Sequence, residues 1–393
     1  MVSIARAQQS TRGWAQESIA QDRAAGLLRH PRVRTGGNAL RGEVDGRAVV
    51  EFAANDYLGL SVHPAVQRAA ADAVLRDGVG ATGSRHLSGG HAAVVELEAE
   101  LAAFEHTECA AVAPTGYAAN VAVLEALGGD DAVIFSDALN HASIIDGCRA
   151  SRARVVVYRH RDMDDLAARL RRRDRRAVIV SDGVFSTEGS IADVRNLAAL
   201  AYEHDAWLVI DEAHATGVVG NRGEGTVSAA GISGHPLVVK VVTFSKALGA
   251  SGAAVCASRD VRQLLLQRGR ALIYSTGLAH PIVNAVRASL HVLQTDPEPV
   301  QRMRSNAALL HQLLDRVAMP GHDCALPMVA VNLRDAEHAT ALEQRLLDSG
   351  WMVHALRPPT VAPGTSRLRA TVSALHEADD IRGMAAALLA AIG

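Results

Sequence analysis

Two successive apolar runs in this chain end on residues with chemical potential. Trp207-Leu208-Val209-Ile210 leads into Asp211-Glu212-Ala213-His214. Val238 to Thr243 leads into Phe244-Ser245-Lys246-Ala247-Leu248-Gly249. A lysine among small and apolar residues is desolvated, which favours the neutral amine over the ammonium ion. A neutral amine condenses with an aldehyde to a Schiff base. A buried carboxylate beside a pyridine nitrogen keeps that nitrogen protonated, and a protonated ring accepts electrons well. Together these needs describe pyridoxal 5'-phosphate (PLP), with Lys246 on the aldehyde carbon and Asp211 at the ring nitrogen. His214, three residues past Asp211, is expected at the ring's phenolic oxygen. Alone, a strand-ending Asp is usually a turn or cap residue, and a lysine after a strand usually faces solvent. The weight lies in order, spacing and shared strand-end context.

Other segments supply the remaining parts of such a site. Pro114-Thr115-Gly116-Tyr117 follows an apolar run and opens a helix, so Gly116 allows close backbone approach and the helix start offers N–H groups to a phosphate. An ordinary helix-start turn would look the same. Thr243 and Ser245 add hydroxyls beside it. His141, in Asn140-His141-Ala142-Ser143, is placed to stack on a pyridine ring, although a lone histidine is more often structural.

These residues need a scaffold that gathers strand ends. Apolar runs at 110–112, 132–135, 155–158, 177–180, 207–210, 238–243 and 253–257 alternate with amphipathic stretches at 94–104, 163–171 and 194–204. Strands apolar throughout and separated by helices predict an α/β fold, a mostly parallel sheet covered on both faces, with its chemistry just past the strand C-termini. Residues 1–48 read as a polar, Arg-rich arm, helix-compatible around 14–28. A long helix over 282–294 stops before Asp296-Pro297-Glu298-Pro299, which marks a hinge. The expected division is an arm (1–48), a large PLP-binding domain (49–295) and a smaller C-terminal α+β domain (296–393).

The bulk properties exclude other classes. Lys+Arg 40 against Asp+Glu 42 leaves a formal charge of −2, with no field to gather nucleic acid or an anionic membrane. The basic run at 171–176 reads as a solvated helix end. Cys109, Cys148, Cys256 and Cys324 form no C-x-x-C pair and are expected to be buried, reduced thiols of a cytoplasmic protein rather than metal ligands. No stretch of about 18 apolar residues suggests a membrane span, and no apolar leader opens the sequence. A PLP-binding transcriptional regulator would place a DNA-binding domain first, and residues 1–48 carry no recognition-helix pattern.

The ordered motifs resemble the α-oxoamine synthases, a branch of the fold-type-I PLP enzymes, over nearly the whole chain from about Trp14. They are Asn55-Asp56-Tyr57-Leu58-Gly59-Leu60, Gly80-Ala81-Thr82-Gly83-Ser84-Arg85, Asn140-His141-Ala142-Ser143, Gly183-Val184-Phe185-Ser186, Asp211-Glu212-Ala213-His214 and Thr243-Phe244-Ser245-Lys246. Tyr274-Ser275-Thr276-Gly277 and Arg357-Pro358-Pro359-Thr360-Val361 favour the 8-amino-7-oxononanoate synthase branch. Ala215 and Ser245 stand where glycine is frequent, Thr187-Glu188 where Met-Asp is, and Tyr117 where Phe is. None of these removes a chemical role.

The resemblance implies Lys246 as the PLP lysine, Asp211 at the pyridine nitrogen, His141 stacked on the ring, and Ser186 and His214 near the phenolic oxygen. It implies Gly116, Tyr117 and Thr243 at the phosphate, joined by Ser275 and Thr276 from a partner subunit of a homodimer. Arg357 would hold the amino acid's carboxylate, Thr360 and Arg29 would contact substrate, and Asn55 would lie near the substrate-bound cofactor. The implied reaction condenses L-alanine with a pimeloyl thioester, carried by coenzyme A or an acyl carrier protein, and releases CO2 and free thiol. Glycine acetyltransferase, 5-aminolevulinate synthase and serine palmitoyltransferase share the same motif order and are the alternatives.

Overall fold

The structure is a computed structural model that describes residues 11–392. Its centre is a seven-stranded sheet. Across it run Cys109–Ala113, Ala253–Ala257, Val238–Thr243, Ala206–Asp211, Arg176–Asp182, Ala132–Asp137 and Arg154–Tyr158. All seven apolar runs expected from the sequence are strands of this sheet. Successive residues of one strand point to opposite faces. Ile134, Val178, Val209 and Val239 accordingly lie in one core, while Val133, Ile179, Leu208 and Val238 lie in another. Both faces of the inner strands are covered, which is why they show no polar alternation, while the edge strand Arg154–Tyr158 leaves Val155 and Val157 exposed. Gly116–Leu127 and Arg259–Arg268 contribute to the first core, and Met163–Leu170 and Val194–Glu203 to the second.

One strand departs from parallel. Ala253–Ala257 runs antiparallel to both neighbours. Only residues 244–252 separate it from Val238–Thr243, too few for the crossover that a parallel neighbour needs. That short link makes a tight bend, and Lys246 sits in it.

The C-terminal part is a three-stranded antiparallel sheet, Met328–Arg334, Ser366–Thr371 and His354–Leu356, packed by the helices Glu298–Leu314, Ala336–Asp348 and Ala378–Ile392. The helix His280–Thr295 precedes it. Pro299 falls in the first turn of the next helix, where a missing N–H costs nothing. Residues 34–51 join this part: Arg47–Glu51 pairs in parallel with Trp351–Met352, and Leu40, Val50 and Phe52 fill the C-terminal core. The N-terminal helix Thr11–Ala24 buries no side chain.

The cysteine expectation needs correction. Cys148 and Cys256 are buried, but Cys109 is half-buried and Cys324 is exposed. Cys324 lies in an irregular segment where Leu326 turns inward instead. All four are unpaired thiols. No helix of the described residues is long and apolar enough to cross a membrane.

Candidate active site

Strand register assembles the site. Asp211 pairs with Asp182 on one side and Val241 on the other, so Asp182, Asp211 and Thr243 finish at one edge of the sheet. Lys246 follows three residues after Thr243. Burial pulls its amine down to about 8, against the opposing charges of Asp211 and Asp182. Near neutrality a usable fraction is therefore the neutral nucleophile.

The chain contains two lysines, Lys240 and Lys246. Lys240 is fully buried in an ion pair with Glu105 and donates to Glu224 O at 3.1 Å. Burial works against its charge, but Glu105 and Glu212 outweigh it and hold the amine above its ordinary value. Lys240 is thus a locked cation, and Lys246 is the lysine suited to carry an aldehyde.

Asp211 is oriented through both oxygens. Oδ1 accepts from Ala213 N at 2.8 Å and Oδ2 from Asn120 Nδ2 at 2.6 Å. Asn120 Nδ2 also reaches Ser143 Oγ at 2.9 Å, and Ser143 Oγ lies 2.7 Å from His141 Nδ1. Ser143 therefore accepts from Asn120 and gives its own proton to His141, leaving the His141 Nε2–H outward. The backbone N–H of His141 donates to Asp182 Oδ2 at 2.8 Å. Burial and the neighbouring Asp211 charge push the Asp182 carboxyl well above the usual range.

His214 is buried, and its Nδ1 sits 2.7 Å from the hydroxyl of the fully buried Tyr57. Burial, followed by the charges of Lys246 and Arg369, holds its imidazole neutral. Asn55 Oδ1 receives Arg369 Nη2 at 3.4 Å and lies 3.2 Å from the same Tyr57 hydroxyl. The shorter contact sends the Tyr57 proton to His214 Nδ1, so His214 Nε2 is a donor toward the site.

At the other end, Thr115 caps the helix Gly116–Leu127 by accepting from Ala118 N at 3.0 Å. The N–H groups of Gly116 and Tyr117 remain at the helix mouth, where an anion is favoured. A Cβ on Gly116 would come within 3.4 Å of Thr243 Oγ1. Thr243 Oγ1 in turn lies 2.9 Å from Ser245 Oγ. The helix start and the two hydroxyls thus form one cradle. One turn further along the same helix stands Asn120, so a single element serves both the anion cradle and the carboxylate.

Sequence reasoning missed Asn120, Ser143 and Tyr57 as site residues. The i, i+4 spacing of Gly116 and Asn120 was the available signal. It also underrated Arg369, which is 7% exposed and whose Nε is buried with no partner among the described residues. Its Nη1 donates to Ser186 O at 3.3 Å, and its charge is felt at Lys246 and His214. Arg357 is turned to the N-terminal segment. Its fork donates to Gly26 O at 2.5 Å and Leu28 O at 3.0 Å, while Arg29 Nη2 donates to Thr360 Oγ1 at 3.2 Å. Arg29, Arg357 and Thr360 are brought together, but their hydrogen bonds run to one another's segments. Ser275 and Thr276 lie on a loop bridged to Ser84 and share a small cavity with Arg85 and Pro114.

A planar ring with an aldehyde, a basic nitrogen and a phosphate fits this set: amine, held carboxylate, neutral histidine donor and N–H cradle lie along one sheet edge. The aminotransferase class I and II family model matches residues 47–388. An 8-amino-7-oxononanoate synthase of Trichlorobacter lovleyi is 43% identical over 349 residues, 88% of this chain and 89% of that protein. One from a Mycobacterium species is 43% identical over 379 residues, 96% of each chain. Among solved structures, a serine palmitoyltransferase from S. paucimobilis with a bound PLP–myriocin aldimine superposes with a TM-score of 0.91 at 31% identity, covering 98% of both chains. The 8-amino-7-oxononanoate synthase of Francisella tularensis gives 0.76 at 28% identity, over 88% of this chain and 98% of that one. The chain therefore belongs to the class I and II aminotransferase family and, within it, to the α-oxoamine synthases.

Proposed function

We propose that this protein is an 8-amino-7-oxononanoate synthase, which condenses L-alanine with a pimeloyl thioester in biotin biosynthesis and releases CO2 and free thiol. The observation that carries the chemistry is the pairing of a depressed lysine amine, Lys246, with a doubly oriented carboxylate, Asp211, at adjacent strand ends. Identity of 43% to 8-amino-7-oxononanoate synthases over 88% and 96% of this chain favours this branch.

When bound, PLP supplies an aldehyde that links to amines and a ring that takes up the electrons released at the substrate's α-carbon. Lys246 Nζ, neutral above about pH 8, would be the nucleophile toward that aldehyde, and the same free amine would serve as the base for the α-proton. Asp211, whose Oδ2 is fixed by Asn120, would keep a proton on the ring nitrogen. His214 Nε2, freed by the Tyr57 contact at Nδ1, would donate to the ring oxygen, and His141, steadied by Ser143, would cover the ring. Gly116 N, Tyr117 N and Thr243 Oγ1 would hold the phosphate.

For the amino acid's carboxylate, Arg369 is the better-placed guanidinium. It is buried against the site, and its unpartnered Nε waits for an acceptor. A carboxylate clamped there would be held in one orientation, which would select the α-carbon bond that breaks. Arg357 must first release the Gly26 and Leu28 carbonyls to take that part. We assign Arg357, with Arg29 and Thr360, to closing the arm over the acyl substrate.

The protein is proposed to act as a homodimer in which Ser275 and Thr276 reach the partner's phosphate. The exposed apolar residues Leu87 and Tyr274, next to the Ser84–Thr276 bridge, support an interface there. Coenzyme A and an acyl carrier protein are both chemically suitable acyl carriers. Four unpaired thiols suit a reducing cytoplasm. The test is thiol release with alanine, glycine or serine against a panel of acyl thioesters, followed by product mass. Alanine with pimeloyl thioester should turn over best. Preference for serine with a long acyl chain would move the protein to the serine palmitoyltransferase branch.

A further inference from the structure

Far along the chain from these residues, two histidines and a cysteine meet at the end of the Glu298–Leu314 helix. His311 lies in its last turn, and His322 and Cys324 lie in the segment leading to Met328–Arg334. One ligand atom from each lies within 4.8 Å of the other two. The two imidazoles are parallel, 3° apart in plane and 5.0 Å between centroids. His311 is 4% exposed, whereas Cys324 opens to solvent.

Backbone carbonyls fix the proton on each ring. His311 Nε2 faces Leu326 O at 2.9 Å, and a carbonyl only accepts, so Nε2 carries the hydrogen. His311 Nδ1 therefore keeps its lone pair, and it is buried with no partner. His322 Nδ1 likewise donates to Met319 O at 2.8 Å, which leaves the Nε2 lone pair 3.7 Å from Cys324 Sγ. Metal-bound histidines are held in this way, with the far N–H on a carbonyl and the lone pair turned to the ion. A tetrahedral ion with bonds of about 2.0 Å to nitrogen and about 2.3 Å to sulfur spaces its ligand atoms roughly 3.5 Å apart. The Nε2–Sγ pair already has that spacing, and the other atoms, within 4.8 Å, close on one ion when the exposed-side His322 ring turns out of its stack on His311.

We infer that His311 Nδ1, His322 Nε2 and Cys324 Sγ form a binding site for a soft divalent cation of the zinc class, its fourth position open to water. Two imidazoles and a thiolate disfavour magnesium and calcium, which take oxygen donors. On binding, Cys324 releases its thiol proton to solvent and the sulfur–metal bond replaces the S–H bond. The ion would pin the segment around His322 to the helix end. Asp323 N of that segment donates to Gly189 O at 2.7 Å, so the pinned segment supports the turn after Ser186 and Thr187. Those two residues receive Arg369 and Arg367 through their carbonyls.

The test uses the tag-free full chain and cobalt(II) as the optical probe. We expect one cobalt per chain, with a thiolate-to-cobalt charge-transfer band that zinc displaces. Zinc should also slow alkylation of Cys324, followed by mass spectrometry of its peptide, at least tenfold. Cys324→Ser should remove the charge-transfer band, and His322→Gln should weaken binding at least tenfold. Both positions are solvent-accessible enough for the variants to fold, which circular dichroism checks. Absence of stoichiometric cobalt binding, or a complex with unchanged spectrum in Cys324→Ser, would overturn the assignment.

Discussion

The two lysines show how environment decides chemistry at the residue scale. Lys240 and Lys246 are six residues apart, yet one is charge-locked by Glu105 and the other is pushed toward neutrality by burial. The Lys246 cation predominates below about pH 8 and the free amine above it. Capture of PLP by PLP-free protein, followed by absorbance, should therefore quicken about tenfold per pH unit below 8 and level off above it. A rise that continues to pH 10 would contradict the desolvated lysine. Asp211→Asn should keep binding PLP but lose at least about a hundredfold in turnover; wild-type turnover would remove the ring-nitrogen role. Arg369→Ala should raise the KM for alanine about ten- to a hundredfold, since a charged hydrogen-bond partner is lost. Arg357→Ala should leave the alanine KM closer to wild type. The reverse order would return the carboxylate to Arg357. The strand-ending Asp211 and Lys246 were legible because their neighbours in sequence define their surroundings. Arg369 and the Asn120–Ser143–His141 chain were not, because their meaning depends on residues far away in the chain.

At the scale of elements, the apolar runs were readable as strands because burial on both faces leaves no polar alternation. The reversed strand Ala253–Ala257 was not expected, although the short 244–252 link carried the signal. The joint between N- and C-terminal elements was invisible in sequence. His376 illustrates it: Nε2 donates to Glu51 O at 2.9 Å, and Nδ1 accepts from Ser373 N at 3.0 Å. Burial pushes this imidazole down to about 4, from 6.5. The unfolded chain thus takes up a proton near pH 6.5 and the folded one only near 4. The contribution is full above pH 6.5 and is lost as pH falls toward 4, roughly 3 kcal/mol in all. Urea unfolding at pH 7 and at pH 4.5 should show His376→Gln losing less stability between the two than wild type. An equal loss would place the acid sensitivity elsewhere.

Across the whole molecule, residues 34–51 bind the C-terminal unit through strand pairing with Trp351–Met352, although they are distant in sequence. Chain order alone could not place them, because a parallel pair between distant segments leaves no local periodicity. The same unit carries Arg357 and Arg369, so its position relative to the large sheet sets the substrate side of the site. The proposed dimer belongs to the same scale. Leu87 is 82% and Tyr274 72% exposed in the single chain. Leu87→Glu with Tyr274→Glu should shift sedimentation toward monomer and lower the affinity for PLP, because on the proposed arrangement Ser275 and Thr276 would no longer reach a partner's phosphate. A monomer with unchanged PLP affinity would separate the interface from the cofactor site.

The attachment point of the cofactor is the most direct test, and a chain with two lysines makes it clean. PLP-loaded protein is reduced with borohydride, digested, and its peptides weighed. The phosphopyridoxyl mass should appear on Lys246 in close to one copy per chain and vanish in Lys246→Ala. Label on Lys240, or protein that stays colourless with PLP and takes up no label, would contradict it.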